Sequence, residues 1–285
     1  MVPTSMIRYR LFASAPGRKL IQPILMGTCA ASMGSTPLAV HLPTPASAAI
    51  LFSGTFIIYF IATLSPLVNL QNFISSAVIL PGCTVLLLIS AFSITARLDL
   101  PEYLTKQYLA AGAVGVLYFL RFKSGKLLYK GLRSFLLIKN LSLALAWSLV
   151  TAPIDPNDGD TINIFIYRFT FIMALSICID LRDRESDRKN GILTLPLLLG
   201  TQLSCLSAAA LLITGYLTLV LFNSDSGGGN PAYAAAVTSC TAMASIVLFY
   251  NSRRKTYVGG IVDGNMLFHG IIFFLYHQHA YKATF

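Results

Sequence analysis

The sequence predicts an all-α, polytopic membrane protein with about nine transmembrane helices. Of the 285 residues, 55% are hydrophobic and only 11% are charged, whereas a soluble domain usually carries about 25% charged residues. The apolar runs reach the roughly 20 residues that a helix needs to cross a bilayer. The basic residues, finally, are sorted between the connecting loops as the positive-inside rule requires.

The spans follow an N-terminal segment, residues 1–19, and make up one transmembrane domain over residues 20–280. Their predicted bounds are 20–40, 46–64, 73–95, 107–120, 135–153, 162–180, 194–222, 233–250 and 258–277. With nine spans, the four large groups of Lys and Arg all fall on one side of the membrane together with the N-terminus. That side is predicted to be the cytoplasm, or its stromal or matrix equivalent. The basic N-terminal region also leaves open a cleaved signal peptide or transit peptide.

The net charge of +10 does not indicate a nucleic-acid partner. The basic residues are divided among membrane loops and do not form one basic soluble face, so the charge belongs to the topology. The five cysteines lie in apolar runs without a Cys-x-x-Cys pair, which predicts small buried hydrophobic side chains.

The most informative segment runs from Cys178 to Gly191, at the end of the sixth span. It carries four acids and four bases in a chain that is otherwise mostly apolar. Asp180, Asp183 and Asp187 are spaced i, i+3, i+7, which places their carboxylates on one face of a helix. Hard cations such as Mg²⁺ take oxygen ligands and bind together with phosphates of a substrate. The spacing therefore predicts a metal and phosphate site, and residues 180–193 are expected to form a cytoplasmic loop that carries it.

Residues 187–200 read Asp-Arg-Lys-Asn-Gly-Ile-Leu-Thr-Leu-Pro-Leu-Leu-Leu-Gly. This stretch resembles the second aspartate-rich motif of the UbiA superfamily of intramembrane prenyltransferases. Residues 129–151 are similar to the fifth helix of that family and its entry, and Asp263-Gly264 resembles the start of its last helix. The resemblance covers most of residues 110–270.

The resemblance implies nine helices around a central apolar cavity and a Mg²⁺-dependent enzyme. Such an enzyme transfers a prenyl group from a polyprenyl diphosphate to a lipophilic or aromatic acceptor, within membrane lipid. The implied catalytic and metal-binding residues are Asp180, Asp183 and Asp187. The implied contacts to the diphosphate are Arg184, Arg188 and Lys189, together with Lys139 and Lys130.

The sequence departs from the family in its first motif, normally Asn-x-x-Asp-x-x-x-Asp at the end of the second helix. Residues 54–72 contain no acid, and residues 1–98 contain none either. Asn69 and Asn72 offer only neutral oxygens. An alternative is therefore a catalytically degenerate relative that binds a lipid, pigment or quinone, or that serves as a subunit of a membrane complex.

A transporter or channel is a third reading. It rests only on Arg168, a base well inside the sixth span, since no internal repeat is evident. Arg168 is expected either to face a cavity or a partner, or to extend toward the outer surface.

Overall fold

Helices account for most of the chain that the computed structural model describes. It describes residues 24, 26–31, 51–56, 101–119, 122–124, 127–129, 132, 135–189, 191–222, 231–251, 264–273 and 275–276. The helices are α1 (Glu102–Phe119), α2 (Ile138–Thr151), α3 (Asp160–Lys189), α4 (Leu195–Phe222), α5 (Ala232–Asn251) and α6 (Gly264–Phe273). Between α1 and α2, β1 (Phe122–Ser124) and β2 (Leu127–Tyr129) form a short antiparallel hairpin in which Lys123 pairs with Leu128.

The helices α1–α6 fall at the last six predicted spans, so the prediction of helices at these places is confirmed. Of the first two spans, residues 26–31 and 51–56 are helical. The third span, 73–95, lies outside the described residues. The count of nine transmembrane helices therefore remains a prediction.

Two of these helices, α3 and α4, are long and apolar enough to cross a membrane. They differ in how much of their surface other helices cover. In the most apolar stretch of each, 61% of α3 is buried but only 28% of α4. Helix α3 is thus the central element, which packs against α2, α4 and α5, while α4 leaves much of its apolar surface uncovered.

The close packing of α3 on α4 depends on Gly215. A Cβ atom placed at this position would lie 2.0 Å from Thr170 Oγ1 and 3.4 Å from Tyr167 Cα. Thr170 Oγ1 itself donates to backbone carbonyls of the preceding turn, at Ile166 and Tyr167, so its position is fixed by its own helix. Only a residue without a side chain fits between the two helices here.

The C-terminal end of α3 is a Schellman motif. Gly191 has a positive φ of 65°, which a residue without a Cβ adopts at little cost. The Ile192 amide donates to the Asp187 carbonyl and the Gly191 amide to the Arg188 carbonyl. The segment expected to be a loop at 180–193 is therefore helical as far as Lys189, and its acids lie on the last three turns of α3.

The connection between α2 and α3 is held against the start of α1. The Gln107 side chain bonds both backbone groups of Ile154, and the Tyr103 hydroxyl donates to Asp155 Oδ2 at 3.1 Å. Partial burial raises the pKa of Tyr103 above its usual value, and the nearby Asp155 carboxylate raises it further. The hydroxyl is therefore protonated at neutral pH and can donate this hydrogen bond. These contacts fix the end of the α2–α3 pair that lies opposite the acids.

Helix α4 is broken one turn after its start. Gly200 has φ 80° and ψ 173°, a conformation that is accessible essentially only to glycine. Its carbonyl accepts a hydrogen bond from Ser204 Oγ at 2.7 Å. The next residue, Thr201, accepts a hydrogen bond from Arg184 Nη1 at 3.1 Å, so the break adjoins the charged end of α3.

We expect Gly200→Ala to lower the free energy of unfolding by about 1–3 kcal/mol, because alanine must either strain the backbone or straighten the helix. Thermal unfolding of the purified protein measures this loss. Gly159→Ala is the matched control, since a Cβ there meets nothing within 4 Å. An equal loss in the control would refute the assignment of the strain to Gly200.

Candidate functional site

The first turn of α2 and the last part of α3 form a buried polar cluster, which consists of Lys139, Asn140, Ser176, Asp180 and Asp187. The two α2 residues enter it directly after Leu137. Leu137 has a positive φ of 61°, the only such value for a non-glycine residue in the described part of the chain. This uncommon conformation starts α2 so that its N-terminal end, which carries a positive partial charge, lies beside α3.

In this cluster, both carboxylate oxygens of Asp180 have a partner. Lys139 Nζ lies 2.5 Å from its Oδ1, and Asn140 Nδ2 donates to its Oδ2 at 3.1 Å. The same amide donates to Ser176 Oγ at 3.0 Å, and that hydroxyl donates to the Met173 carbonyl. Ser176 and Asp180 are four residues apart, so they lie on the same face of α3. This network satisfies both oxygens of a carboxylate that is 1% exposed.

Asp187 lies two turns further along α3 and is less well satisfied. Its Oδ2 is 3.5 Å from Lys139 Nζ and has no hydrogen-bond partner among the residues that the structure describes. The cluster thus places two buried carboxylates around one ammonium group. A buried carboxylate oxygen without a hydrogen bond is costly. The geometry therefore leaves one negative charge that the cluster does not neutralise.

Asp183 lies near the same face of α3 but does not join the cluster. Its side chain is 40% exposed and forms a two-point ion pair with the adjacent Arg182, at 2.7 and 2.9 Å. The three acids of the predicted site are therefore on one side of the helix, as their spacing predicts, but the structure brings together only Asp180 and Asp187.

The predicted diphosphate contacts occupy three kinds of position. Lys139 lies between the two buried acids, and Arg184 reaches across to Thr201 on α4. Arg188 and Lys189 are exposed in the last turn of α3, where cations stabilise the helix end. Lys130 lies outside the described residues. The same holds for residues 59–72, where the first aspartate motif was sought.

The side chains fit one contact to a hard cation, at Asp187. That carboxylate is buried, carries the uncompensated charge and has an oxygen without a hydrogen bond. Both oxygens of Asp180 are already engaged by the chain, and Asp183 is held by Arg182. Among the described residues, no group of three or more His, Cys, Asp or Glu is placed to hold one ion. A Mg²⁺ here would take most of its ligands from water or from a substrate's phosphates, which this ion commonly does.

Sequence reasoning missed Asn140, Ser176 and Thr201 as participants. Each is a small polar residue in an apolar run, and its partner lies 17 to 40 positions away. The spacing of Ser176 and Asp180 at i, i+4 is the one local signal that was present. Asn140 is adjacent to Lys139, which is one of the predicted diphosphate contacts.

Comparison with known proteins does not name the site. No family model, curated protein or solved structure matches this chain.

Proposed function

We propose that this protein is a UbiA-like intramembrane prenyltransferase, which moves a prenyl group from a polyprenyl diphosphate to a lipophilic or aromatic acceptor. The proposal depends on the buried cluster of Lys139, Asp180 and Asp187 at the charged end of a long apolar helix. Burying two acids around one cation carries a desolvation penalty that packed apolar side chains would avoid. A site that must receive a diphosphate with its counter-ion does need such acids.

The surroundings of the cluster support this proposal and its membrane location. Helix α3 has 30 residues, a length of about 45 Å, against about 30 Å for the hydrocarbon core of a bilayer. Its last turns would therefore project beyond the core on the side that we assign to the cytoplasm. Uncovered apolar side chains along α4 suit contact with lipid: Leu198, Leu203, Leu206, Ile213, Leu221 and Phe222.

In the proposed reaction, the C–O bond between the allylic carbon and the diphosphate breaks. The acceptor forms a bond to that carbon and loses a proton. Lys139, Arg184, Arg188 and Lys189 would stabilise the negative charge that develops on the departing diphosphate. Mg²⁺, held through Asp187, would supply further neutralisation of that diphosphate. The apolar helices would keep water away from the cation-like carbon.

One specific observation favours a second candidate, a degenerate relative that binds a lipid, pigment or quinone or acts as a membrane-complex subunit. Lys139 and Asn140 together engage both oxygens of Asp180. An ammonium group in that position occupies the space that a divalent cation would need. In such a protein the acids would serve only to anchor α2 to α3.

The decisive measurement is Mg²⁺-dependent release of diphosphate from polyprenyl diphosphates of several chain lengths, with the full-length protein in lipid nanodiscs and a panel of phenolic acceptors. We expect turnover in the wild type and a loss of about 100-fold or more in Asp187→Asn, because the variant removes the ligand of the metal. Glu102→Gln removes an exposed acid on α1 whose ion pair, among the described residues, is with Lys106 of the same helix. This variant should retain full activity.

Absence of turnover at every chain length and with every acceptor would refute the proposed prenyltransferase activity. A lipophile or a stoichiometric partner that co-purifies with such an inactive protein would support the second candidate instead. Equal activity in Asp187→Asn and the wild type would show that Asp187 is not needed for the reaction.

A further inference from the structure

A second buried charged group lies on α3, twelve residues before Asp180, at a distance of about 18 Å along the helix. Arg168 is 2% exposed, and it faces α6, where His269 is fully buried. The guanidinium stands 4.5 Å from the ring centroid of Phe273, and its Nη1 is 3.1 Å from His269 Nδ1. Of the two predicted alternatives, the structure shows the one in which Arg168 meets a partner and does not extend to the surface.

Aromatic rings surround the pair. His269 stacks on Phe273 with centroids 4.6 Å apart, and Phe171 and Tyr167 lie at 4.3 and 5.6 Å from the same imidazole. Tyr167 directs its hydroxyl away, to Thr238 on α5. Among the described residues, the side chains in ring contact with His269 are therefore all aromatic.

No carboxylate balances the guanidinium among the described residues, since none of their ion pairs includes Arg168. A cation buried in an apolar helix bundle is costly and usually has an anionic or polar partner. Stacking against Phe273 offsets only part of this cost. The acids beyond the described residues are Asp99, Asp225 and Asp263.

The Arg168–His269 pair also has more hydrogen-bond donors than acceptors. Arginine has only donors, so His269 Nδ1 must accept from Nη1, and the neutral imidazole then carries its proton on Nε2. Within the described part of the chain, neither that Nε2–H nor Arg168 Nε–H has an acceptor, although both atoms are buried. A single kind of partner, a negatively charged oxygen, would satisfy both donors and the positive charge, none of which has such a partner among the described residues.

We propose that Arg168 and His269 form a binding site for the anionic oxygen of a lipophilic ligand, of which a long-chain carboxylate is the best match. A carboxylate supplies one negative charge and two acceptor oxygens. The aromatic side chains around the pair, Tyr167, Phe171 and Phe273, suit the apolar part of such a ligand. This site is separate from the acidic cluster. Its test needs no prenyl diphosphate, so the result does not depend on the proposed transfer reaction.

The test is thermal unfolding of delipidated full-length protein with added oleate. We expect saturating oleate to raise the melting temperature by about 5 °C, because a ligand that binds only the folded state stabilises it. Oleyl alcohol, which has the same chain and no charge, should have little effect. Lys106→Gln, which removes an exposed positive charge, should respond to oleate like the wild type.

Arg168→Met distinguishes a ligand site from a packing role. Without oleate it should melt at or above the wild-type temperature, since it removes an unpaired buried charge while keeping an apolar side chain of similar length. It should not respond to oleate. A lower melting temperature in Arg168→Met that oleate still raises would refute the site, and so would an equal response to oleyl alcohol.

Two further outcomes would overturn the proposal. If chloride alone, compared with gluconate, stabilises the wild type as oleate does, the site takes a free inorganic anion and not a lipophilic one. If Asp99→Asn, Asp225→Asn or Asp263→Asn destabilises the ligand-free protein and Arg168→Met cancels that loss, a carboxylate of the chain already neutralises the guanidinium.

Discussion

Lys139→Met is expected to lower the free energy of unfolding by about 3–5 kcal/mol, the range for breaking a buried ion pair by removal of one partner. The variant leaves Asp180 and Asp187 buried without their shared cation, while methionine fills much of the same volume. Chemical unfolding in a mild detergent at neutral pH measures the loss. Lys106→Met removes an exposed lysine from a surface pair and should cause no measurable change.

The double variant Lys139→Met/Asp180→Asn tests the cause. It removes the ammonium and one carboxylate together, so it should be more stable than Lys139→Met alone. If the two single losses simply add, the attraction between these groups does not account for the effect. Added Mg²⁺ gives a second readout. An increase in stability that is larger for Lys139→Met than for the wild type would show that the ammonium and the ion compete for the same carboxylates.

Gly215→Ala is expected to cost about 2–3 kcal/mol, since the new Cβ would overlap Thr170 Oγ1 and push α3 away from α4. Thermal unfolding measures the effect. Gly264→Ala is a control for the change from glycine to alanine, because a Cβ there meets nothing within 4 Å.

Removal of the obstructing atom should restore part of this stability. Thr170→Ala deletes the hydroxyl oxygen, so Gly215→Ala/Thr170→Ala should be more stable than Gly215→Ala alone. The rescue will be partial, because Thr170 Cβ would still lie 3.3 Å from the new methyl group. No rescue at all would mean that backbone contact, and not Thr170, sets the spacing of the two helices.

Hydropathy placed the helices but not all of their ends. The sixth span was predicted to stop at residue 180 because charged residues begin there, whereas α3 continues to Lys189. Charge ends a membrane-buried stretch, but it does not end a helix. The helix ends at the positive-φ Gly191, which the sequence contained as the usual glycine of a C-terminal cap.

The acids of the candidate site were predictable from their spacing, since helical periodicity alone puts Asp180 and Asp187 on one face. Their partners were not predictable. Lys139 was singled out as a diphosphate contact, yet its ion pair with Asp180 joins residues on two different helices. The same limit applies to Arg168 and His269. Nothing local to either residue specifies the other, because packing between helices decides the contact.

The distance in sequence between Arg168 and His269 also has a consequence for synthesis of the chain. The two residues are 101 positions apart, so at about 5–20 residues per second Arg168 leaves the ribosome about 5–20 s before its partner. During that interval Arg168 lacks its contacts with His269 and Phe273 on α6. If α3 spans the membrane as we propose, its mid-membrane arginine adds an insertion cost of about 2.5–3.5 kcal/mol. The many Phe and Ile residues of α3 would make such insertion possible before α6 exists. Chains truncated before residue 264 should therefore insert α3 but remain more accessible to protease than the complete chain.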